Sequence, residues 1–243
     1  MIRPQDFFDL KSIDEPVRSF LEMSETVWGL LSHLTHYLQQ LLPEQAAIHG
    51  QVDAGATLVN PEMIYLGPGS RVEAGAYIAG PAYIGANCQI RHGAYVRGGV
   101  LTGDHCVLGH ASEFKNALLL PGSQAGHFAY VGDSILGQRV NLGAGTKLAN
   151  LPQPSNLHKA KTGQRPTIKL QLPDAATLVD TGLPKMGAVL GDDVQTGCNV
   201  VTNPGCLIGP GTLVYPAVSL AKGYWPAGKI IKLRQQLEVV ELT

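Results

Sequence analysis

From Leu66 onward a mostly aliphatic side chain recurs at every sixth position: Leu66, Val72, Ile78, Ile84, Ile90, Val96, Thr102, Leu108 and Phe114. Four places after each stands a mostly small residue: Ser70, Ala76, Ala82, Cys88, Ala94, Val100, Cys106, Ser112 and Leu118. Both phases return later, as Leu190, Thr196, Thr202, Ile208, Val214 and Leu220 with Val194, Val200, Cys206, Thr212 and Val218. A sustained internal repeat decides architecture before local propensity does. Each hexad predicts a short strand and a turn, the large residue pointing inward and the small one fitting the bend. Three hexads make one triangular coil, and successive coils stack as parallel strands roughly 4.8 Å apart. Cys88 and Cys106 are one coil apart, so the two thiols are predicted to stack inside as small buried hydrophobes.

The rhythm is different at the ends and in one long interruption. Over residues 14–42, Val17, Phe20, Leu21, Val27, Trp28, Leu31, Leu34, Leu38, Leu41 and Leu42 follow helical spacing. This predicts one long amphipathic helix, capped by Asp14 and stopped by Pro43. From Phe114 to Leu136 the count is two short of four hexads. From about Ala149 to Met186 there are no hexads, and this stretch carries Lys159, Lys161, Arg165, Lys169 and Lys185. It predicts an excursion loop with a short hairpin at 167–179. Leu148 and Leu190 are separated by a whole number of hexads, so the loop can leave and rejoin in register. A long basic loop beside a repeat fits an anionic ligand, and equally a solvated surface. The predicted organisation is a helical segment at 1–47, a β-helix at 48–222 with 149–186 inserted, and a tail at 223–243. The class is all-β.

Composition narrows the function. A net charge of −1 gives no footprint for general nucleic-acid binding. No apolar run is long enough to span a bilayer. The start, MIRPQDFFDL, has no signal-peptide pattern, so a cytoplasmic protein with reduced thiols is expected. Cys88, Cys106, Cys198 and Cys206 form no C-x-x-C pair, which argues against a zinc ribbon or redox dithiol.

The position after each inward aliphatic is normally small or acidic, yet Arg91, Arg97 and Lys115 stand there. Arg97 and Lys115 are one coil apart on one face. Two cations so placed need either a bridging anion or partner carboxylates, for which Glu113 is a candidate. The first slip of register holds AGHFAYVGD, with His127 and Tyr130. VNLGAGTKLAN follows, with Asn141, Ala144, Gly145 and Asn150. A histidine beside cations and a glycine-rich turn is a candidate proton acceptor. His92, His105 and His110 also have a spacing that fits a metal site shared between subunits.

YVRGG around Arg97, SEFKNA around Lys115, AGHFAYVGD, VNLGAGTKLAN and LGDDVQTG resemble hexosamine-1-phosphate N-acetyltransferases. These are the acetyltransferase half of the bifunctional enzyme that makes UDP-N-acetylglucosamine and its archaeal sugar-1-phosphate relatives. The resemblance covers roughly residues 66–222. It implies a left-handed parallel β-helix, acetyl-CoA as co-substrate, no required metal, and a homotrimer with sites between prisms. It implies that His127 is the general base and that Asn141 orients the amine. Arg97, Lys115, Tyr130 and Lys185 would bind the sugar phosphate, and Asn150 would line the site. The Ala144 amide would face the thioester carbonyl, and Cys198 would lie near coenzyme A. Leu151 stands where the bacterial motif has tyrosine. No nucleotidyltransferase segment accompanies these motifs, so a separate nucleotidyltransferase is an expected partner. Two other readings stay open: a γ-carbonic-anhydrase-like metal enzyme, and a non-catalytic scaffold or regulatory partner of a sugar nucleotidyltransferase.

Overall fold

The computed structural model describes residues 1–173 and 175–241. The hexads form a parallel β-helix with three faces. One face is a nine-stranded stack that begins at Gln51–Val52 and ends at Ile230–Ile231. A second, here called the capped face, runs from Ala47–Ile48 to Gly223–Trp225. The third runs from Thr57–Val59 to Ser219–Leu220. Inside the prism, Leu66, Ile84, Ile90, Val96, Leu108, Phe114, Leu136 and Leu190 form a continuous buried core. Cys106 sits above Cys88 as expected, its amide 3.4 Å from the Cys88 sulfur. All four cysteines are free thiols.

On the capped face the outward residues are apolar as well. Leu101, Leu118, Ile135, Val189 and Leu207 point away from the prism and are nonetheless buried. The N-terminal segment covers them, together with Ile168, Leu170, Leu172 and Met186 of the excursion. It is not the single helix expected over 14–42. Helix α1 (Val17–Leu21) and helix α2 (Leu30–Gln45) are separate. Between them the Ser24 hydroxyl donates to the Thr26 carbonyl, and the Gly29 amide donates to the Thr26 hydroxyl. Such local side-chain bonds compete with the helical ladder and end it. Pro43 lies inside α2 rather than stopping it. Near a C-terminus a proline forfeits one backbone bond, which the buried row Leu30, Leu34, Leu38 and Leu42 outweighs. Each such leucine stabilises by about 1.5–3 kcal/mol.

The segment before α1 is latched to the prism through Asp192. Its carboxylate accepts from the Asp9 amide at 2.8 Å and the Gln138 amide at 2.7 Å, and its own amide donates to the Phe7 carbonyl. Burial pushes the Asp192 carboxyl above the ordinary range, against those hydrogen bonds.

The two missing residues in the hexad count are two shortened corners. Phe114 pairs with Val131, and Val131 with Leu148, so two successive coils are each one residue short of the usual repeat. Glu113–Leu119 and Tyr130–Leu136 run on through the corner between the third and capped faces. Asn116 and Asp133 take positive φ there, at 47° and 46°.

The excursion leaves and rejoins in register: Leu148 pairs with Thr202 and Leu142 with Thr196. It contains helix α3 (Ser155–Thr162), which was not expected. It also contains an antiparallel pair, Lys169–Leu170 with Val179–Asp180, where the hairpin at 167–179 was expected. Asp174 of that stretch, and residues 242 and 243 of the expected tail, lie outside the described residues. The prism extends past the expected boundary at 222, because Gly223–Trp225 and Ile230–Ile231 add another coil. No helix among the described residues is long and apolar enough to cross a membrane.

Candidate active site on the third face

His127 stands on the corner between the Gln51–Ile231 face and the third face. It heads a column of imidazoles. His110 pairs with His127 in register, and the His92 and His110 rings stack at 5.7 Å. His92 Nδ1 lies 2.6 Å from the Ala74 carbonyl, and His110 Nδ1 lies 2.8 Å from the His92 carbonyl. The exposed His127 ring has no such partner among the described residues. One coil further along, Gly145 donates its amide to the His127 carbonyl. Ala144, beside it, accepts from the Asn199 amide, while its own amide finds no acceptor among the described residues. Cys198 follows on the same column and is exposed. Asn141 is exposed in the middle of the adjoining face, in register with Gln124. This corner therefore brings together His127, Ala144 and Cys198, with Asn141 nearby.

Phe128 was not singled out in the sequence. It follows His127 with φ of 53°, at a turn position where the coils on either side have Ala111, also at positive φ, and Gly145. A bulky residue in the left-handed region is strained. Its ring is 56% exposed and packs edge-on against His110, centroids 5.3 Å apart. A bulky aromatic side chain at a turn position that takes Gly93, Ala111 and Gly145 on other coils was the signal available.

The third face and its far corner hold the cations. Arg97 does not stand bare: Nη1 donates to Glu113 at 2.7 Å, and the guanidinium lies over the Tyr95 ring. Lys115 donates to Asp133 at 3.3 Å. Partner carboxylates thus answer both cations, and Glu113 is one of them. Asp133 also accepts from Asn116 at 3.0 Å and from Asn150, so three stacked corners are tied by one carboxylate. Burial lifts the Tyr130 phenol above its ordinary value, and Glu113 and Asp133 add to the effect. Asn150 and Lys185 lie where the two limbs of the excursion meet. There the Met186 amide donates to the Asn150 carbonyl, and Gly187 donates to Asp133.

The site residues thus fall into two groups at opposite edges of one face. His127, Ala144, Cys198 and Asn141 gather at one, and Lys115, Asn150 and Lys185 at the other, with Tyr130 and Arg97 between. His105 stands on a third corner, away from His92 and His110. Among the described residues no group of three potential metal ligands comes together.

A family model described as the GMPPB C-terminal domain matches residues 78–208. The bifunctional sugar-1-phosphate nucleotidylyltransferase/acetyltransferase of Sulfurisphaera tokodaii is 36% identical over 105 residues, which are 43% of this chain and 23% of that one. The bifunctional protein GlmU of Methylibium petroleiphilum is 30% identical over 128 residues, 53% of this chain and 21% of that one. The chain thus matches less than a quarter of the length of these relatives. Among solved structures, a UDP-N-acetylglucosamine acyltransferase from Francisella novicida has a TM-score of 0.42 at 12% identity. That match covers 72% of this chain and 60% of the other. The family match spans more than half of the 243 residues, and the protein belongs to the GMPPB C-terminal domain family.

Proposed function

We propose that the protein is an N-acetyltransferase that moves acetyl from acetyl-CoA to the amine of a hexosamine-1-phosphate, glucosamine or galactosamine. The observation that carries this reading is the His127 corner, where an exposed imidazole sits one coil from a backbone amide, neither having a hydrogen-bond partner among the described residues. The relatives named as sugar-1-phosphate nucleotidylyltransferase/acetyltransferases support it.

In the proposed reaction the sugar amine attacks the thioester carbonyl carbon. His127 takes the proton released as the C–N bond forms. The Ala144 amide stabilises the oxyanion. The C–S bond then breaks, and the proton passes to the departing thiolate. Asn141 orients the amine, and Cys198 lies along the coenzyme. No covalent acyl-enzyme and no metal is required. Tyr130, Arg97, Lys115, Asn150 and Lys185 hold the sugar phosphate. Arg97 and Lys115 keep donors beyond those given to Glu113 and Asp133, so both can still contact it.

The histidine edge and the excursion edge lie on opposite sides of one face. This supports a site shared between prisms, in which one protomer's histidine edge faces its neighbour's excursion edge. The apolar residues Tyr95, Phe128, Leu213, Tyr215 and Ile230 remain exposed on the two uncapped faces and their shared edge. A homotrimer is the proposed assembly. The product is the kind of compound a separate nucleotidyltransferase consumes. An acetyl-transfer assay over a panel of hexosamine-1-phosphates tests the function. Acetylation of at least one is expected, and no acetylation of any overturns it.

A further inference from the structure

Lys159, Arg165 and Lys185 of the excursion have no carboxylate partner among the described residues. Lys159, Gly163, Gln164, Arg165, Leu183, Pro184 and Lys185 border a cavity of about 540 Å³, whose prism wall is Asn116 and Asp133. Lys159 comes from the last turn of α3, and Arg165 from the segment after its Gly163 cap. Arg165 is held by Asn156, to which Nη2 donates at 3.1 Å. Its Nε is enclosed and has no hydrogen-bond partner among the described residues, so the terminal nitrogens are the donors left for a ligand in the cavity. Asp133 in the wall does not neutralise this group, because its charge is offset by the paired Lys115 ammonium. Lys159, Arg165 and Lys185 therefore surround one space with uncompensated positive charge.

We infer that this cavity binds a phosphoryl group, with Arg165 and Lys159 as ligands beside Lys185. A guanidinium fork with a spare donor and two flexible ammonium groups match a phosphoryl dianion. The inference deepens the proposed acetyltransferase reading, since it assigns the anion-binding end of that site largely to the excursion. Two ligands can supply the group: the phosphate of a hexosamine-1-phosphate, or the 3′-phosphate of coenzyme A.

The test is calorimetric titration of inorganic phosphate into the whole protein and into Lys159→Gln, Arg165→Gln and Arg165→Lys. Lys229→Gln, on a distant coil, controls for general charge. Circular dichroism establishes that each variant is folded. Saturable binding by the wild type is expected, weakened roughly tenfold or more in Arg165→Gln and Lys159→Gln. Partial recovery is expected in Arg165→Lys and no change in Lys229→Gln. Displacement of phosphate by glucosamine-1-phosphate assigns the site to the sugar. Displacement by coenzyme A but not by dephospho-coenzyme A assigns it to the cofactor. No saturable binding by the wild type, or equal weakening in all variants including Lys229→Gln, overturns the inference. Because the titration contains no acetyl donor, it is independent of the catalytic reading. Acetyl transfer with phosphate binding unaltered in Arg165→Gln sinks the pocket alone. Phosphate binding lost in Arg165→Gln, with no acetyl transfer by the wild type, sinks the acetyltransferase alone.

Discussion

The Lys115 ammonium lies 3.3 Å from Asp133, whose side chain is 7% exposed. The corresponding pair one coil earlier, Arg97 with Glu113, is shorter at 2.7 Å but has its partner 33% exposed. Depth rather than distance separates their energetics. Removing Lys115 leaves a buried carboxylate held only by amides, a cost of about 1–3 kcal/mol for a poorly satisfied charge. Removing Arg97 breaks a solvated pair worth about 0–1 kcal/mol. Urea titration should therefore show Lys115→Ala clearly destabilised and Arg97→Ala nearly unaffected, while both raise the KM for the sugar phosphate. Equal loss of stability would contradict this assignment.

His127→Ala separates chemistry from binding. A proton acceptor acts only as the reaction proceeds, so kcat should fall by roughly 10²–10⁴. The KM for the sugar phosphate should hardly move. Steady-state kinetics with varied sugar phosphate reads both, and a near-normal kcat would remove His127 from its proposed role.

Phe128 offers the converse experiment. Glycine takes positive φ freely, so Phe128→Gly relieves strain on the order of 1–2 kcal/mol while losing the ring's contact with His110. The expected variant is as stable as the wild type or more so, yet less active. Thermal unfolding together with turnover tests the trade. A destabilised variant with full activity would show that the ring serves packing alone.

Asp192 sets a pH dependence. Burial raises its folded-state pKa above the unfolded value near 4. A raised carboxyl favours the protonated form in the folded state. Its contribution to stability is therefore fullest below the unfolded value and declines as pH rises through the raised one. Comparing the unfolding temperature of wild type and Asp192→Asn across that range should show a shallower decline in the variant. Parallel curves would rule the contribution out.

Sedimentation should give about three times the chain mass of 25.8 kDa. A fully active monomer would refute a site shared between prisms.

Much of the fold could be read from the hexads, because an inward residue at every sixth position is a direct image of the prism's three faces. Other parts were legible but passed over. The capped face reads Val100-Leu101, Leu118-Leu119, Ile135-Leu136 and Val189-Leu190, without the polar alternation of a solvated strand, which is the mark of a strand buried on both sides. The break between α1 and α2 was hidden because its apolar spacing continues across hydroxyls that end a helix by local bonding. Helix α3 has hardly an apolar face; Ser155 is its one buried residue. Spacing placed Arg97 and Lys115 on one face and gave Glu113 as a partner, and both hold in the structure. It could not reveal that Asp133 gathers Lys115, Asn116 and Asn150, because that contact depends on corners shortened by one residue each.

The excursion enters and leaves the stack in register, with Leu148 paired to Thr202 across it. Its length is thus uncoupled from the register of the coils on either side, while Ile168, Leu170, Leu172 and Met186 anchor it to the capped face. In evolutionary terms it is an interchangeable part. The histidine edge belongs to the prism, where a change of one residue has to be taken up at a corner, as at Asn116 and Asp133. The excursion can be exchanged for another of different length while the scaffold keeps its register. A replaced insertion would then alter the Lys159, Arg165 and Lys185 end of the site, while Arg97, Lys115, Tyr130 and the chemistry at the opposite edge would be inherited unchanged.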